Sequence, residues 1–193
     1  MPIQRVKERM YSFRFLLAMR FALVMTGAVA AVSTLSYFAL RLGLDQEINA
    51  SLINVASIQA ASVTDDPTGA MRFHEWDLTA AEAGSVRDLI RYLQIWNTDG
   101  ESLVRSQFLT EDLPLDTVVL RRAGEGSLEW TRGTFQGIPI RALYYPLERL
   151  GELHTRHVLQ VAAPLEARNR MLHNVSLLLM IIVVTVGAIT FAG

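Results

Sequence analysis

The chain has 193 residues, of which 51% are hydrophobic and 19% charged, and its formal net charge at pH 7 is −1. This length is enough for one domain of ordinary size together with membrane-spanning segments. Cysteine is absent, which excludes a disulfide-stapled scaffold, so any folded domain must be held together by packing.

Two uninterrupted apolar stretches bracket the middle of the chain. They run from Phe21 to Leu40 and from Val175 to Gly193, and neither contains an aspartate, glutamate, lysine or arginine. Because a helix rises about 1.5 Å per residue, roughly 20 apolar residues span a hydrocarbon core of about 30 Å. The sequence therefore predicts transmembrane helices at 15–41 and 174–193, separated by a domain at 42–173.

Charge on the flanks of the first stretch predicts the orientation. Five basic residues precede it, namely Arg5, Lys7, Arg9, Arg14 and Arg20, against the single acid Glu8. Positive flanks stay in the cytoplasm, so we expect a cytoplasmic N-terminus at 1–14 and an extracytoplasmic domain at 42–173. The chain is then expected to cross a membrane twice.

A cleaved signal peptide is the alternative interpretation of the N-terminus. The small residues Ala28-Val29-Ala30 imitate a cleavage site. The apolar run, however, exceeds the usual h-region of about 7–15 residues. Cleavage would also leave a largely apolar segment at 31–44 as the new start, so an uncleaved anchor fits better.

The net charge conceals an acidic middle. Residues 42–173 contain 12 arginines and 18 acidic residues, a formal charge of −6 with histidine neutral. A domain of this sign has no electrostatic reason to bind nucleic acid, and its field favours cationic ligands.

A single apolar stripe follows the first membrane segment. Leu44, Ile48, Leu52, Val55 and Ile58 recur at steps of four and three residues, which predicts a membrane-proximal helix at 42–62. The stripe packs either on its own domain or on the same helix of a second copy. We expect both, and therefore a homodimer.

Further along, the pattern changes to that of strands. After a turn at Asp65–Gly69 and a helix at Ala80–Ile90, two short strands flank the turn Asn97-Thr98-Asp99-Gly100. Three later segments rich in β-branched and aromatic residues complete the set: Ser127–Phe135, Ile138–Tyr145 and His157–Ala163. The expected fold class is α+β, with a mostly antiparallel sheet of about five strands within 88–163. Pro164 is expected to end the last strand and open a helix into the second membrane segment.

Several of these segments resemble a known family. The hairpin Tyr92–Ser106, the segment Gly137–Leu143 and the segment Leu159–Glu166 are similar to the input half of bacterial two-component sensor histidine kinases. The resemblance implies a multi-pass protein of the bacterial inner membrane, with a periplasmic, PAS-like sensor domain at 42–173 between its two membrane helices. In that family a HAMP linker, a phosphoacceptor region and an ATP-binding domain follow and phosphorylate a response regulator.

The resemblance places no catalytic residue in these 193 residues, because the chain ends at Gly193. We expect it to be truncated before a cytoplasmic output region, where ATP would be the only cofactor. Motifs for hydrolases, metalloproteases and P-loop enzymes are absent. Two alternatives are the input module of another receptor, such as a chemoreceptor or cyclic-dinucleotide enzyme, and a complete accessory membrane protein with a binding domain.

Candidate recognition residues are few. A metal site is one hypothesis, because imidazole and carboxylate groups bind borderline divalent metals; its residues are His154, His157, Glu148 and Glu152, in the expected turn before the last strand. A second group is His74, Glu75 and Asp77 around Trp76. Isolated surface histidines are more often simply solvated.

The candidates for a small-molecule ligand lie on the strands. Arg105 and Arg141 could pair with a carboxylate, and Trp96, with Trp130 and Tyr144, could stack on an apolar or aromatic ligand. Alternation places Arg141 either on one face with Leu143 and Tyr145 or towards solvent. Large aromatic residues in strands are more often part of the core.

Overall fold

The structure, a computed structural model, describes residues 3–64, 92–106, 109–147 and 157–192. The chain divides into two compact units. One contains Met1–Leu44 together with Arg168–Gly193, and the other contains Asp45–Ala167. The expected turn at 65–69 and helix at 80–90 lie outside the described residues.

The described elements confirm the α+β class. In chain order they are α1 (Ile3–Thr64), β1 (Leu93–Asn97), β2 (Ser102–Arg105), α2 (Thr117–Gly124), β3 (Glu129–Phe135), β4 (Ile138–Leu147), β5 (His157–Pro164) and α3 (Glu166–Ala192). The five strands form one antiparallel sheet in the order β2-β1-β5-β4-β3. The last strand, β5, therefore lies at the centre of the sheet.

The first hairpin forms where the sequence predicts it. Asn97 organises its turn, because its side-chain Oδ1 accepts hydrogen bonds from the backbone N–H groups of Asp99 (3.0 Å) and Glu101 (2.7 Å). Gly100 has φ +87°, a conformation that glycine adopts without a steric cost. These local contacts fix the register between β1 and β2.

The β3–β4 hairpin turns at Gln136-Gly137. Both residues have positive φ, 51° and 78° respectively, as in the two-residue turns whose twist matches that of the flanking strands. Glycine suits this conformation, but glutamine does not. The Gln136 side chain donates a hydrogen bond to Thr110 Oγ1 at 3.1 Å, which compensates part of that cost.

Both faces of the sheet are covered within the second unit. On one face the buried α1 residues Leu52, Val55 and Ala56 pack against Leu93, Ile95, Leu143, Leu147, Leu159, Val161 and Ala163. On the other face α2 and the residues before it cover Trp96, Ile140, Ala142, Tyr144, Val158 and Ala162. Strand alternation assigns each residue to its face.

The apolar stripe of α1 packs on its own domain. Leu52 and Val55 are buried in the core, and Ile48 packs against it. Ile58, which we expected in the same stripe, is 47% exposed. Ala56 and Gln59 are buried instead. The homodimer stays a prediction.

Two helices carry long apolar surfaces, and most of each of these surfaces lies in the first unit. Leu16–Ala61 of α1 and Glu166–Thr190 of α3 are long and apolar enough to cross a membrane. Most of their apolar side chains face outwards, including Phe21 (67% exposed) and Ile189 (67%). Where the helices meet, Thr26 Oγ1 lies 3.4 Å from Thr190 Oγ1. The outward apolar surface is what a lipid environment requires.

Candidate functional site: the polar cluster beneath residues 109–116

Two glutamines lie in the middle of the sheet. Gln94 on β1 and Gln160 on β5 are directly opposite each other in the antiparallel register, so both side chains project from the same face. Each is 0% exposed. Burying an amide without hydrogen bonds costs about 1–3 kcal/mol, so their partners determine whether the sheet tolerates them.

Residues 109–116 form the segment that covers this face, and Gln94 holds Asp112 and Leu113 of that segment. Its Oε1 accepts a hydrogen bond from the backbone N–H of Leu113 at 2.7 Å. Its Nε2 donates to Asp112 Oδ1 at 2.7 Å and to Ser102 Oγ at 2.8 Å. The amide is therefore fully paired, and the segment is attached to β1.

Gln160 fixes the next part of the segment. Its Oε1 accepts a hydrogen bond from Trp96 Nε1 at 2.7 Å. Its Nε2 donates to the carbonyl of Pro114 and to the hydroxyl of Tyr144, each at 3.1 Å. We call Gln94, Gln160, Trp96 and Tyr144 the polar cluster. It joins three strands to one irregular segment.

Tyr144 closes the cluster. Its hydroxyl lies 3.4 Å from the Pro114 carbonyl, to which it donates, and accepts a hydrogen bond from the Asp116 backbone N–H at 3.1 Å. Burial raises the pKa of Tyr144 above the ordinary value of 10.0; the hydrogen bond from Asp116 lowers it, and the charge of the Asp116 carboxylate raises it. The hydroxyl therefore stays protonated, as its role as a donor requires.

A cavity of about 140 Å³ lies on the same face. Its lining comes from the 109–116 segment (Pro114, Leu115, Asp116) and from strands β3, β4 and β5 (Thr131, Arg132, Gly133, Ile140, Ala142, Gln160). Gln160 thus belongs both to the polar cluster and to the cavity wall. The cavity is polar at Asp116, Thr131 and Gln160 and apolar at Ile140 and Ala142.

The residues proposed to contact a small-molecule ligand lie on opposite faces of the sheet. Trp96 is 4% exposed and belongs to the polar cluster. Arg105 forms an ion pair with Asp112 at 3.5 Å, with both side chains about half exposed. Arg141 instead lies over the ring of Trp130 at 5.1 Å. Because Trp130 pairs with Leu143, this contact is on the opposite face.

Most of the proposed metal ligands cannot be placed. Glu148, Glu152 and His154 lie outside the described residues, as do His74, Glu75, Trp76 and Asp77. His157 is described; it lies in the last strand, as the predicted strand at His157–Ala163 has it, and our placement of it in the turn before that strand was wrong. It is the first residue of β5 and is 8% exposed. In the described ranges no group of three or more histidine, cysteine or acidic residues is close enough to hold a metal ion.

Sequence reasoning missed the features that build this face. It assigned no role to Gln94 or Gln160 and no helix to 117–124. Signals for both exist: each glutamine interrupts an otherwise apolar strand, as in Leu93-Gln94-Ile95, and Asp116 begins α2 as its N-cap, accepting from the N–H groups of Val118 and Val119.

Comparison of the chain with protein-family models, with curated proteins and with solved structures finds no match.

Proposed function

We propose that this chain is the signal-sensing and transmembrane-signalling module of a bacterial sensor histidine kinase in a two-component phosphorelay. In this proposal α1 and α3 cross the inner membrane, and the unit between them is a periplasmic, PAS-like sensor domain. The kinase region would lie beyond residue 193, in the cytoplasm, use ATP, and phosphorylate a response regulator.

The observation that carries the proposal is the connection between β5 and α3. β5 is the central strand and ends at Pro164, and α3 begins at Glu166. Only Leu165 separates them, and its backbone N–H donates to the Pro139 carbonyl at 2.8 Å. A conformational change in the sheet can therefore be transmitted to α3, because no flexible linker lies between them to absorb it.

Two further observations support the proposal. The unit combines an antiparallel five-strand sheet with helical cover on both faces, as we expect of a PAS-like sensor. It is joined at both ends to helices that are apolar enough to cross a membrane. A device that senses on one side and acts on the other needs this arrangement, whereas a purely soluble binding protein does not.

The coding sequence beyond codon 193 gives the first test. We expect an open reading frame with a HAMP linker and a phosphoacceptor histidine region. A methyl-accepting coil or a cyclase domain would instead identify another class of receptor. A stop codon would identify an accessory membrane protein and contradict the proposal.

Phosphorylation gives the second test. Membranes that contain the full-length product should incorporate label from γ-labelled ATP into an acid-labile phosphohistidine. The matched control replaces the phosphoacceptor histidine by glutamine and should remove the label. Absence of label in the unaltered protein, with or without purified response regulator, would contradict the kinase assignment.

A further inference from the structure

We propose that the cavity between Pro114–Asp116 and strands β3, β4 and β5 binds a small organic cation with a primary ammonium group. This inference rests on the proposed function, because it names the class of ligand that the sensor domain would detect. It is argued from the size of the cavity, its charge, and its link to the polar cluster.

The size of the cavity limits the ligand. A cavity of about 150 Å³ holds a molecule of the size of benzene, and this one measures about 140 Å³. Ile140 and Ala142, each 1% exposed, make part of the wall apolar. Gly133 also lines it, and a Cβ atom there would lie 3.7 Å from Pro114 Cγ. The space therefore suits about six non-hydrogen atoms with a short apolar part.

The charge of the cavity comes from Asp116. Arg132 also lines it, but Arg132 pairs directly with Arg141, and alternation places both side chains on the opposite face. In the described part of the chain Asp116 has no ion-pair partner; its Oδ1 accepts only the N–H groups of Val118 and Val119. The N-terminus of α2 offsets about half a unit charge, so negative charge remains.

Hydrogen-bond acceptors complete the match to an ammonium group. An –NH₃⁺ group has three donors and no acceptor. Two lining residues carry acceptor side chains, the Asp116 carboxylate and the Thr131 hydroxyl, and a third, Pro114, has a carbonyl that already accepts hydrogen bonds from Gln160 and Tyr144. The acidity of residues 42–173, with a formal charge of −6, raises the local concentration of cations.

Gln160 connects the cavity to the rest of the fold. It lines the cavity and holds both the Pro114 carbonyl and the Trp96 indole. A ligand ammonium that shares the Pro114 carbonyl therefore changes the hydrogen bonds of Gln160. Gln160 is on β5, which leads through Leu165 to α3. Ligand binding in the cavity thus changes the hydrogen bonds of a residue on β5, the strand that leads into α3.

Thermal unfolding of the full chain in detergent micelles tests the inference. The probes are n-butylammonium, the neutral n-butanol and the anion butyrate, which have nearly equal size. Binding to the folded state alone raises the midpoint as RT ln(1 + [L]/Kd). We expect a saturable rise with n-butylammonium, and none with the other two probes at the same concentration and ionic strength.

Three variants make the test specific to this cavity. Asp116→Asn keeps an N-cap residue but removes the charge, and should weaken n-butylammonium binding at least about tenfold. Thr131→Val removes one hydroxyl at constant shape and should weaken it several-fold. Glu125→Gln removes an exposed carboxylate at the other end of α2, away from the cavity lining, and should leave binding unchanged.

The outcomes separate this inference from the proposed function. Equal stabilisation by n-butanol, or unweakened binding by Asp116→Asn, would overturn the ammonium site whatever the output domain is. Stabilisation by Mg²⁺ or Zn²⁺ that Asp116→Asn removes, without any effect of n-butylammonium, would also overturn it. Specific n-butylammonium binding in a protein without kinase activity would support the site and contradict the proposed function.

Discussion

Buried amides at the centre of a sheet are the residue-scale feature that distinguishes this domain. Gln94 and Gln160 have no exposed surface, and their hydrogen bonds go both to the 109–116 segment and to side chains of the neighbouring strands. A fully satisfied buried network specifies one arrangement of its members, because each alternative leaves a donor or acceptor unpaired. These residues therefore determine where residues 109–116 lie on the sheet.

Replacing Gln160 by methionine should destabilise the domain by about 2–4 kcal/mol. The change keeps the length of the side chain but leaves Trp96 Nε1 without its acceptor, and buried unpaired donors cost about 1–3 kcal/mol each. Chemical unfolding followed by tryptophan fluorescence measures the loss. Gln46→Met, at an exposed position of α1, is the control and should change stability by less than about 0.5 kcal/mol. Equal effects of the two variants would contradict the proposed role.

Tyr144 predicts a dependence of stability on alkaline pH. Because the pKa of its hydroxyl is raised in the folded state, the folded state holds the proton more tightly than the unfolded state. Its contribution is fully present below pH 10, the ordinary pKa, and is lost as the pH rises towards the folded-state pKa. Between pH 8 and 11, the free energy of unfolding should fall less steeply above pH 10 in Tyr144→Phe than in the unaltered protein. An unchanged slope would show that Tyr144 does not titrate differently in the two states.

At the scale of elements, the two hairpins show how short turns set register. The β1–β2 turn uses an asparagine side chain to hold its backbone, whereas the β3–β4 turn places a glutamine in the left-handed region. Left-handed backbone costs a non-glycine residue about 1–2 kcal/mol. The second hairpin is therefore less stable than it would be with a residue at position 136 that adopts positive φ more readily.

Replacing Gln136 by asparagine should stabilise the second hairpin by about 0.5–1 kcal/mol. Asparagine tolerates positive φ better than glutamine does, and this gain exceeds the loss of one exposed hydrogen bond to Thr110. The midpoint of thermal unfolding checks the sign. Thr110→Val, which removes only the hydrogen bond, is the control and should lower stability slightly. A decrease in Gln136→Asn larger than in the control would contradict the argument.

At the scale of the whole molecule, the described chain has two helices long and apolar enough to cross a membrane and one α+β unit, and the proposed topology places that unit outside the cytoplasm. The chain contains no cysteine, so single introduced cysteines report topology without background. Ser127→Cys lies at an exposed position in the second unit, and Gln4→Cys lies in the basic N-terminus.

A membrane-impermeant maleimide should label Ser127→Cys in cells whose outer membrane is permeabilised. It should label Gln4→Cys only after the inner membrane is broken. The physical reason is the charge asymmetry, which keeps the basic flank in the cytoplasm. Labelling of Gln4→Cys in such cells without lysis would reverse the topology, and labelling of both would indicate that the chain does not cross the membrane.

Local patterns in the sequence predicted the two long apolar helices α1 and α3, the strands and the α+β class, but not the short helix α2. Apolar runs and strand alternation depend on neighbours within a few residues, which is why the five strands lie where the sequence predicts them. The apolar stripe of α1 was also visible, although its packing on the sheet through Ala56 rather than Ile58 was not.

Only the tertiary structure decided what the polar residues of the sheet do. Gln94 and Gln160 become partners of one segment because β1 and β5 are adjacent in the sheet, and sequence patterns do not specify that adjacency. The same pairing separates Arg105 and Trp96 from Arg141, which lies on the opposite face. Hydrogen bonds between residues distant in the chain depend on the packing of whole elements, so the cavity at Asp116 could be found only in the folded protein.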